Sequence, residues 1–296
     1  MNEAADFWTR HVFVLVTPDA VLRGVHTGLV RRLAAQRFLP VASRLAVSNS
    51  DMIDELYAEV IAGQWQTWHY RMLDDAFALG PCLALICRYD GDAGDPHDLM
   101  RALKGSSTPH RTSRGELRFD FGALNGILGV MHASDNSGES AKDAAIFGLT
   151  PAAAAGATAD AADKVAVLCA LTQPACPERR DFDAVLGGLR ASFVTALWDQ
   201  FGDDAAVAEL SILLKDSCSD ALASPAGGAR LLDLCRHRLP ADVVDVLACE
   251  FTPATRAGRR PADLFETIRR HGLRIDPWQR VVLESSLHFD PVRRPW

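Results

Sequence analysis

The run VFVLV at residues 12–16, followed at once by Thr17-Pro18-Asp19, decides how the first half of this chain is read. Five consecutive apolar residues, three of them β-branched Val, predict a fully buried strand, and Pro18 removes the donor that a longer ladder would need. Downstream, HTGLVRRLAAQR at 26–37 sets Leu29, Val30 and Leu33 at helical spacing with arginines on the other face, which predicts a helix. VASRLAV at 41–47 alternates as a half-exposed strand. Ser50 is read as the N-cap of a second helix, with acids in its first turn suited to the helix dipole. Gly80-Pro81 leads into CLALIC at 82–87, another fully apolar strand. A short helix over 98–104 and a strand, or strand plus turn, over 123–131 complete the series.

That order predicts an α+β domain with a split βαβ, ferredoxin-like sheet in βαββαβ order and helices on one face. After it the composition shifts. PAAAAGATADAAD at 151–163 is a linker or the start of a helix, and beyond it strand patterning almost vanishes. Helical segments are read at 182–201, 204–215, 229–238, 241–250, 262–271 and 277–287. Pro240, Pro261 and Pro277 sit at or near first-turn positions, with Asp276 as a cap, and Gly227-Gly228 is read as a loop. The expected organisation is therefore residues 1–150 and an all-α domain over 151–296, with the seam near 148–162.

Composition bounds what such a chain does. Its 296 residues carry 31 Lys+Arg against 38 Asp+Glu, a formal charge of -7, with 48% hydrophobic and 23% charged residues. Both halves are mildly acidic, which argues against a nucleic-acid partner, since a phosphate-backbone footprint needs concentrated positive charge. Of the basic residues 27 are Arg, and with abundant Ala this suggests a bacterial, GC-rich codon bias. The seven cysteines show no C-x-x-C spacing, so reduced core thiols are expected. The N-terminus, MNEAAD, is acidic where a signal peptide would be basic, and no apolar run is long enough to span a membrane. A cytoplasmic protein without a membrane partner is expected. His26, His97 and His110 lack carboxylate or thiol partners at ligand spacing, so no metal site is read.

Several motifs then fall in one order. VFVLVTPDAVLRG at 12–24 resembles the first strand and K-P-D-[AG]-V-x-R-G turn of the nucleoside diphosphate kinase family. Gly80-Pro81 before an apolar strand is similar to that family's S-G-P-V-V. RALKGSSTP from Arg101 fits R-x-x-x-G-x-T-x-P, and Arg118 falls at the spacing of a further phosphate-contacting arginine. MHASD at 131–135, with Glu139-Ser140-Ala141, resembles H-[GA]-S-D…E-S-A. The likeness covers roughly residues 10–150.

The resemblance implies phosphoryl transfer from ATP through a phosphohistidine, with His132 as nucleophile. It implies that Tyr57 holds the ring or contacts phosphate, that Ser134 joins His132 and Tyr57 as a catalytic candidate, its alternative being to shape the turn after the histidine, and that Arg101, Arg118 and Ser107 contact phosphate. It further implies a nucleotide or other phosphorylated small molecule as ligand, Mg²⁺ accompanying it, and a homo-oligomer. The base would stack on a lid that reads Thr67-Trp68-His69-Tyr70, so Trp68, His69 and Tyr70 join the candidate site.

The chain also departs from the family pattern. Thr17 stands at the phosphate site where the family has Lys. R-N-x-x-H becomes Leu128-Gly129-Val130-Met131-His132, and one extra residue lies between Arg118 and His132. The carboxylate that would orient the histidine aligns with Ala144, or with Asp143 after a shift of one residue. The expected function is a divergent phosphotransferase or nucleotide-using enzyme acting through His132 with an altered substrate. The alternative is a catalytically inactive nucleotide-binding or scaffolding module whose helical domain binds a partner.

Overall fold

The computed structural model describes residues 6–58, 67–92, 94–155, 160–175, 178–202, 205–215 and 219–293. The chain divides into two compact units, Met1–Glu178 and Arg179–Trp296.

The first unit is α+β. Its elements are β1 (His11–Val16), α1 (Pro18–Leu22), α2 (His26–Ala35), β2 (Phe38–Ala46), α3 (Ser50–Leu56), α4 (Thr67–Phe77), β3 (Cys82–Tyr89), α5 (Pro96–Lys104), α6 (Leu117–Asp120), β4 (Met131–Ala133), α7 (Ser137–Ile146), α8 (Pro151–Ala155) and α9 (Ala161–Thr172). The strands form one sheet in the order β2-β3-β1-β4. β1 is antiparallel to β3, with Val14 opposite Leu85, and to β4, with Leu15 opposite His132. The central position of β1 explains its unbroken apolar run, because both of its faces are covered. Val12, Val14 and Val16 join a core with Leu29 and Leu33 of α2, Met100 of α5 and Val165 and Cys169 of α9. Helices are expected on one face only, yet the other face is covered too: Phe13 stacks on Phe147, just past α7, at 5.6 Å between centroids.

Three local expectations need correction. The strand expected at 123–131 begins only at Met131. Residues 123–130 form a buried turn in which the Asn125 side chain accepts from the amides of Ile127 (2.9 Å) and Leu128 (3.1 Å). Its apolar residues are buried as a loop, something an apolar run alone cannot reveal. The N-cap of α3 is Asn49, whose side chain accepts from the Met52 amide at 3.0 Å, and Ser50 is the first helical residue. The Ala-rich stretch starts as helix α8, and α9 packs within the first unit. There Val165 and Cys169 are buried, and the Cys169 carbonyl lies 3.1 Å from the His26 ring nitrogen Nε2. The seam expected near 148–162 thus falls inside the first unit, which runs to Glu178.

The second unit is helical: α10 (Phe182–Ala196), α11 (Ala205–Lys215), α12 (Ser219–Ala223), α13 (Pro225–Cys235), α14 (Ala241–Leu247), α15 (Pro253–Arg256), α16 (Pro261–Arg270) and α17 (Pro277–His288). Asp276 caps α17 in a reciprocal capping box with Gln279. Arg190 of α10 is fully buried, donating to the Leu222 carbonyl at 2.6 Å and the Leu247 carbonyl at 3.0 Å and pairing with Glu250. Gly227 and Gly228, read as a loop, lie inside α13. A Cβ on Gly228 would come within 2.7 Å of Glu250 Oε1 and 2.8 Å of the Arg190 guanidinium, so glycine there makes room for the buried pair. Among the described residues no helix is long and apolar enough to cross a membrane.

Candidate functional site

A cleft of about 570 Å³ opens in the first unit where β1 ends and β4 begins, and it gathers Thr17, Tyr57, Arg101, Ser107, Arg118 and His132. These residues lie far apart in sequence. They meet because β1 and β4 are neighbours, and because α5, α6 and α7 carry their side chains to the same end of the sheet.

His132 is the middle residue of β4. Strand alternation buries Met131 and Ala133 and turns His132 to the other face, leaving its side chain 21% exposed. Its Nε2 lies 3.0 Å from Oδ2 of Asp143, and Ser134 Oγ donates to the same oxygen at 2.7 Å. Asp143 is buried on α7. That helix is fixed by its Asn136 cap, which accepts from the Glu139 amide at 2.9 Å, and by the Phe13 amide donating to Ser140 Oγ at 3.1 Å. An ionised carboxylate only accepts, so this contact assigns the imidazole proton to Nε2 and leaves Nδ1 as a lone pair. Among the described residues Nδ1 has no hydrogen-bond partner. The Tyr57 ring stands edge-on to His132 with centroids 5.8 Å apart, and burial pushes its phenol pKa up.

The cations are arranged around this ring. Arg118 donates to the carbonyls of Gly105 (2.8 Å) and Met131 (3.2 Å), and its buried Nε has no partner. Arg101 is exposed, bonding Asp98 at 2.7 Å and the Asp135 carbonyl at 2.8 Å. Lys104, one turn after Arg101 on α5, donates to Asp135 Oδ1 at 2.7 Å and to the Ala133 carbonyl at 2.5 Å. Burial acts to raise the Asp135 pKa. The bond from Lys104 and the charges of Lys104 and Arg101 outweigh it and hold the carboxyl below its usual range.

Thr17 lines the cleft but turns its hydroxyl away, donating to Asp19 Oδ1 at 2.5 Å. The other oxygen of Asp19 accepts from the Val130 amide at 3.1 Å. Burial raises the Asp19 pKa, against these two bonds and the charge of Arg23. Val130 adopts a φ of 62°, so this knot holds the strained end of the 123–130 turn just before β4. Residues 67–70 are the first turn of α4, but the side chains of Trp68, His69 and Tyr70 lie outside the described residues.

Two cleft residues are poorly marked in the sequence. Asp143 is ambiguous with Ala144 until the helix start is fixed, and Asn136 followed by Glu139 is the signal that fixes it. Lys104 occupies an unspecified position of R-x-x-x-G-x-T-x-P, and its only signal is the i, i+3 spacing from Arg101. Among the described residues no group of three or more His, Cys, Asp or Glu side chains is placed to hold a metal ion.

A family model described as nucleoside diphosphate kinase matches residues 10–149. Over this region the chain is similar to the nucleoside diphosphate kinase of Methanosarcina mazei, at 30% identity over 135 residues, or 45% of this chain and 84% of that protein. It is 28% identical to the enzyme of the same name from Nocardioides sp. over 134 residues, or 45% of this chain and 93% of that protein. A solved nucleoside diphosphate kinase family protein from Babesia bovis overlays 47% of this chain and 87% of its own at 22% identity, with a TM-score of 0.40.

Proposed function

The chain belongs to the nucleoside diphosphate kinase family, and on that premise we propose that its first unit transfers a phosphoryl group through His132. The observation that carries this reading is the 3.0 Å contact between Nε2 and Asp143, which presents Nδ1 as a lone pair in a cleft that also holds Arg101, Lys104 and Arg118.

In the first half-reaction the Nδ1 lone pair attacks the γ-phosphorus of a nucleoside triphosphate. The bond from phosphorus to the β–γ bridging oxygen breaks, and the nucleoside diphosphate leaves with that electron pair. In the second, a terminal phosphate oxygen of an acceptor diphosphate attacks the phosphohistidine and the P–N bond breaks, restoring His132. Such transfer is catalysed mainly by positioning and by cations facing the equatorial oxygens. Asp143 holds the ring and stabilises the Nε2 proton as charge builds on the imidazole, while Ser134 fixes the carboxylate. Tyr57 limits ring rotation from the side. Arg118, whose Nε has no partner, and the exposed Arg101 both line the cleft and supply positive charge toward phosphate oxygens. Among the described residues no carboxylate cage is built for a metal, so a Mg²⁺ ion would come with the nucleotide and would neutralise part of its phosphate charge.

The substrate is proposed to differ from the family's ordinary one. Gly129 offers no side chain for a sugar hydroxyl, and Thr17 offers no cation. Losing one charge-assisted phosphate contact costs about 2–4 kcal/mol of transition-state stabilisation, roughly two to three decades in rate. The same two positions favour a second reading, a nucleotide-binding module without turnover. Incubation with γ-labelled ATP and Mg²⁺ separates the two. Transfer requires acid-labile, alkali-stable label on the native protein and none on His132→Ala. Tight nucleotide binding without any label would leave the second reading standing.

A further inference from the structure

Lysine is scarce in this chain, with 4 Lys against 27 Arg, and two of the four, Lys104 and Lys142, line the cleft. In a sequence so biased toward arginine, lysine at a cleft position marks a place where a compact ammonium is not interchangeable with a planar guanidinium. Lys104 is the more constrained of the two, its side chain being only 9% exposed. β4 is an edge strand, and the carbonyls on either side of His132 are both taken by cations. Met131 accepts from Arg118 at 3.2 Å and Ala133 accepts from Lys104 at 2.5 Å. The two charges therefore flank the backbone of the proposed nucleophile.

An ammonium has three N–H donors. Two are spent on Ala133 and Asp135, and among the described residues the third has no partner. A buried amine tends to lose its proton, which here means that desolvation lowers the Lys104 pKa, but the Asp135 carboxylate at 2.7 Å acts against that loss. Asp135 is thus placed as the counter-ion of Lys104 within the cleft.

We propose that Lys104 is a phosphate-binding residue of this site, donating its third N–H to a nucleotide phosphate oxygen and so supplying the charge that Thr17 does not. This assignment rests on the phosphotransfer reading above and adds a residue that the family motif leaves unspecified. It also differs from a purely structural role, in which Lys104 would only tie α5 to β4.

The test uses the full chain, γ-labelled ATP with Mg²⁺, the affinity for Mg·ADP and thermal unfolding of each variant. Lys104→Met is expected to label about 10²-fold more slowly and to bind Mg·ADP about tenfold more weakly. Thr17→Lys introduced into Lys104→Met is expected to recover about tenfold or more of the lost labelling rate. If Lys104→Met does not fold, Lys104→Met with Asp135→Asn removes both charges and leaves no carboxylate without its counter-ion; it is expected to show the same loss. A folded single or double variant that labels within about threefold of the native protein overturns the assignment. So does a Thr17→Lys change that rescues nothing. If the native protein neither takes label nor binds Mg·ADP, the phosphotransfer reading falls and this one with it. Native labelling with indifferent Lys104 variants sinks this one alone.

Discussion

His132 is made asymmetric by one carboxylate. Asp143 takes Nε2, so Nδ1 is the nitrogen left to react, and Asp143→Asn would remove that distinction because an amide can also donate to the ring. The expected result is a labelling rate lower by about 10²-fold or more with nucleotide affinity nearly unchanged; equal losses in both would mean that Asp143 shapes the binding site rather than the tautomer. Asp135 gives a pH signature. Its folded pKa lies below the ordinary carboxylate value of about 3.9, so the stabilisation it brings is present above that value and is lost as pH falls through the folded pKa. The urea midpoint of the native protein should therefore exceed that of Asp135→Asn at pH 7, and the gap should close toward pH 3. A gap that does not change with pH would mean the Asp135 charge contributes nothing. His132, Arg101, Ser107 and Thr17 are legible in the sequence because each sits in a short linear motif, Arg118 and Tyr57 because of their spacing from those motifs, and the cleft gathers all six. Lys104 is not legible, because only the pairing of α5 with β4 shows that its ammonium reaches the carbonyl beside His132.

Elements were legible where their periodicity was long and their ends carried chemical signals. The apolar runs at 12–16 and 82–87 are the two central strands, and Asp276-Pro277 does begin α17. The turn at 123–130 was not legible, because its apolar residues are buried by a side-chain-capped loop and not by a ladder. Gly227-Gly228 likewise reads as punctuation unless one knows that Arg190 and Glu250 press against it. Gly228→Ala should therefore cost about 1–3 kcal/mol, the usual penalty of overpacking a filled core, measured by urea unfolding. A variant as stable as the native protein would show that the buried pair shifts freely. Asn136 carries a different burden, since it caps the helix that holds both Asp143 and Glu139. Asn136→Ala should cost about 1 kcal/mol, and because α7 keeps its packing through Ser140, the labelling rate should fall far less than in Asp143→Asn.

On the scale of the whole molecule, every described residue lining the cleft lies between Thr17 and Asp143, inside the unit that ends at Glu178. The family match ends at residue 149, but that unit does not. α9 contributes Val165 and Cys169, 3% and 2% exposed, to the same core as Leu29, Leu33 and Val14. Burying two such side chains stabilises by roughly 3–5 kcal/mol, a large share of the 5–15 kcal/mol that holds a typical domain folded. A fragment of residues 1–178 should therefore unfold cooperatively, while one ending at residue 150 should be less stable by about that amount or fail to fold. The longer fragment should also take label from γ-labelled ATP within about twofold of the full chain, because it carries every described residue of the cleft, and a phosphate ligand is drawn by those local cations rather than by the mildly acidic field of the rest of the chain. Circular dichroism and labelling on the same sample decide the matter. A folded 1–178 fragment that takes no label where the full chain does would show that labelling depends on residues 179–296. A folded fragment that labels normally leaves the helical unit free of the chemistry, and its contribution is then to be sought in what it binds.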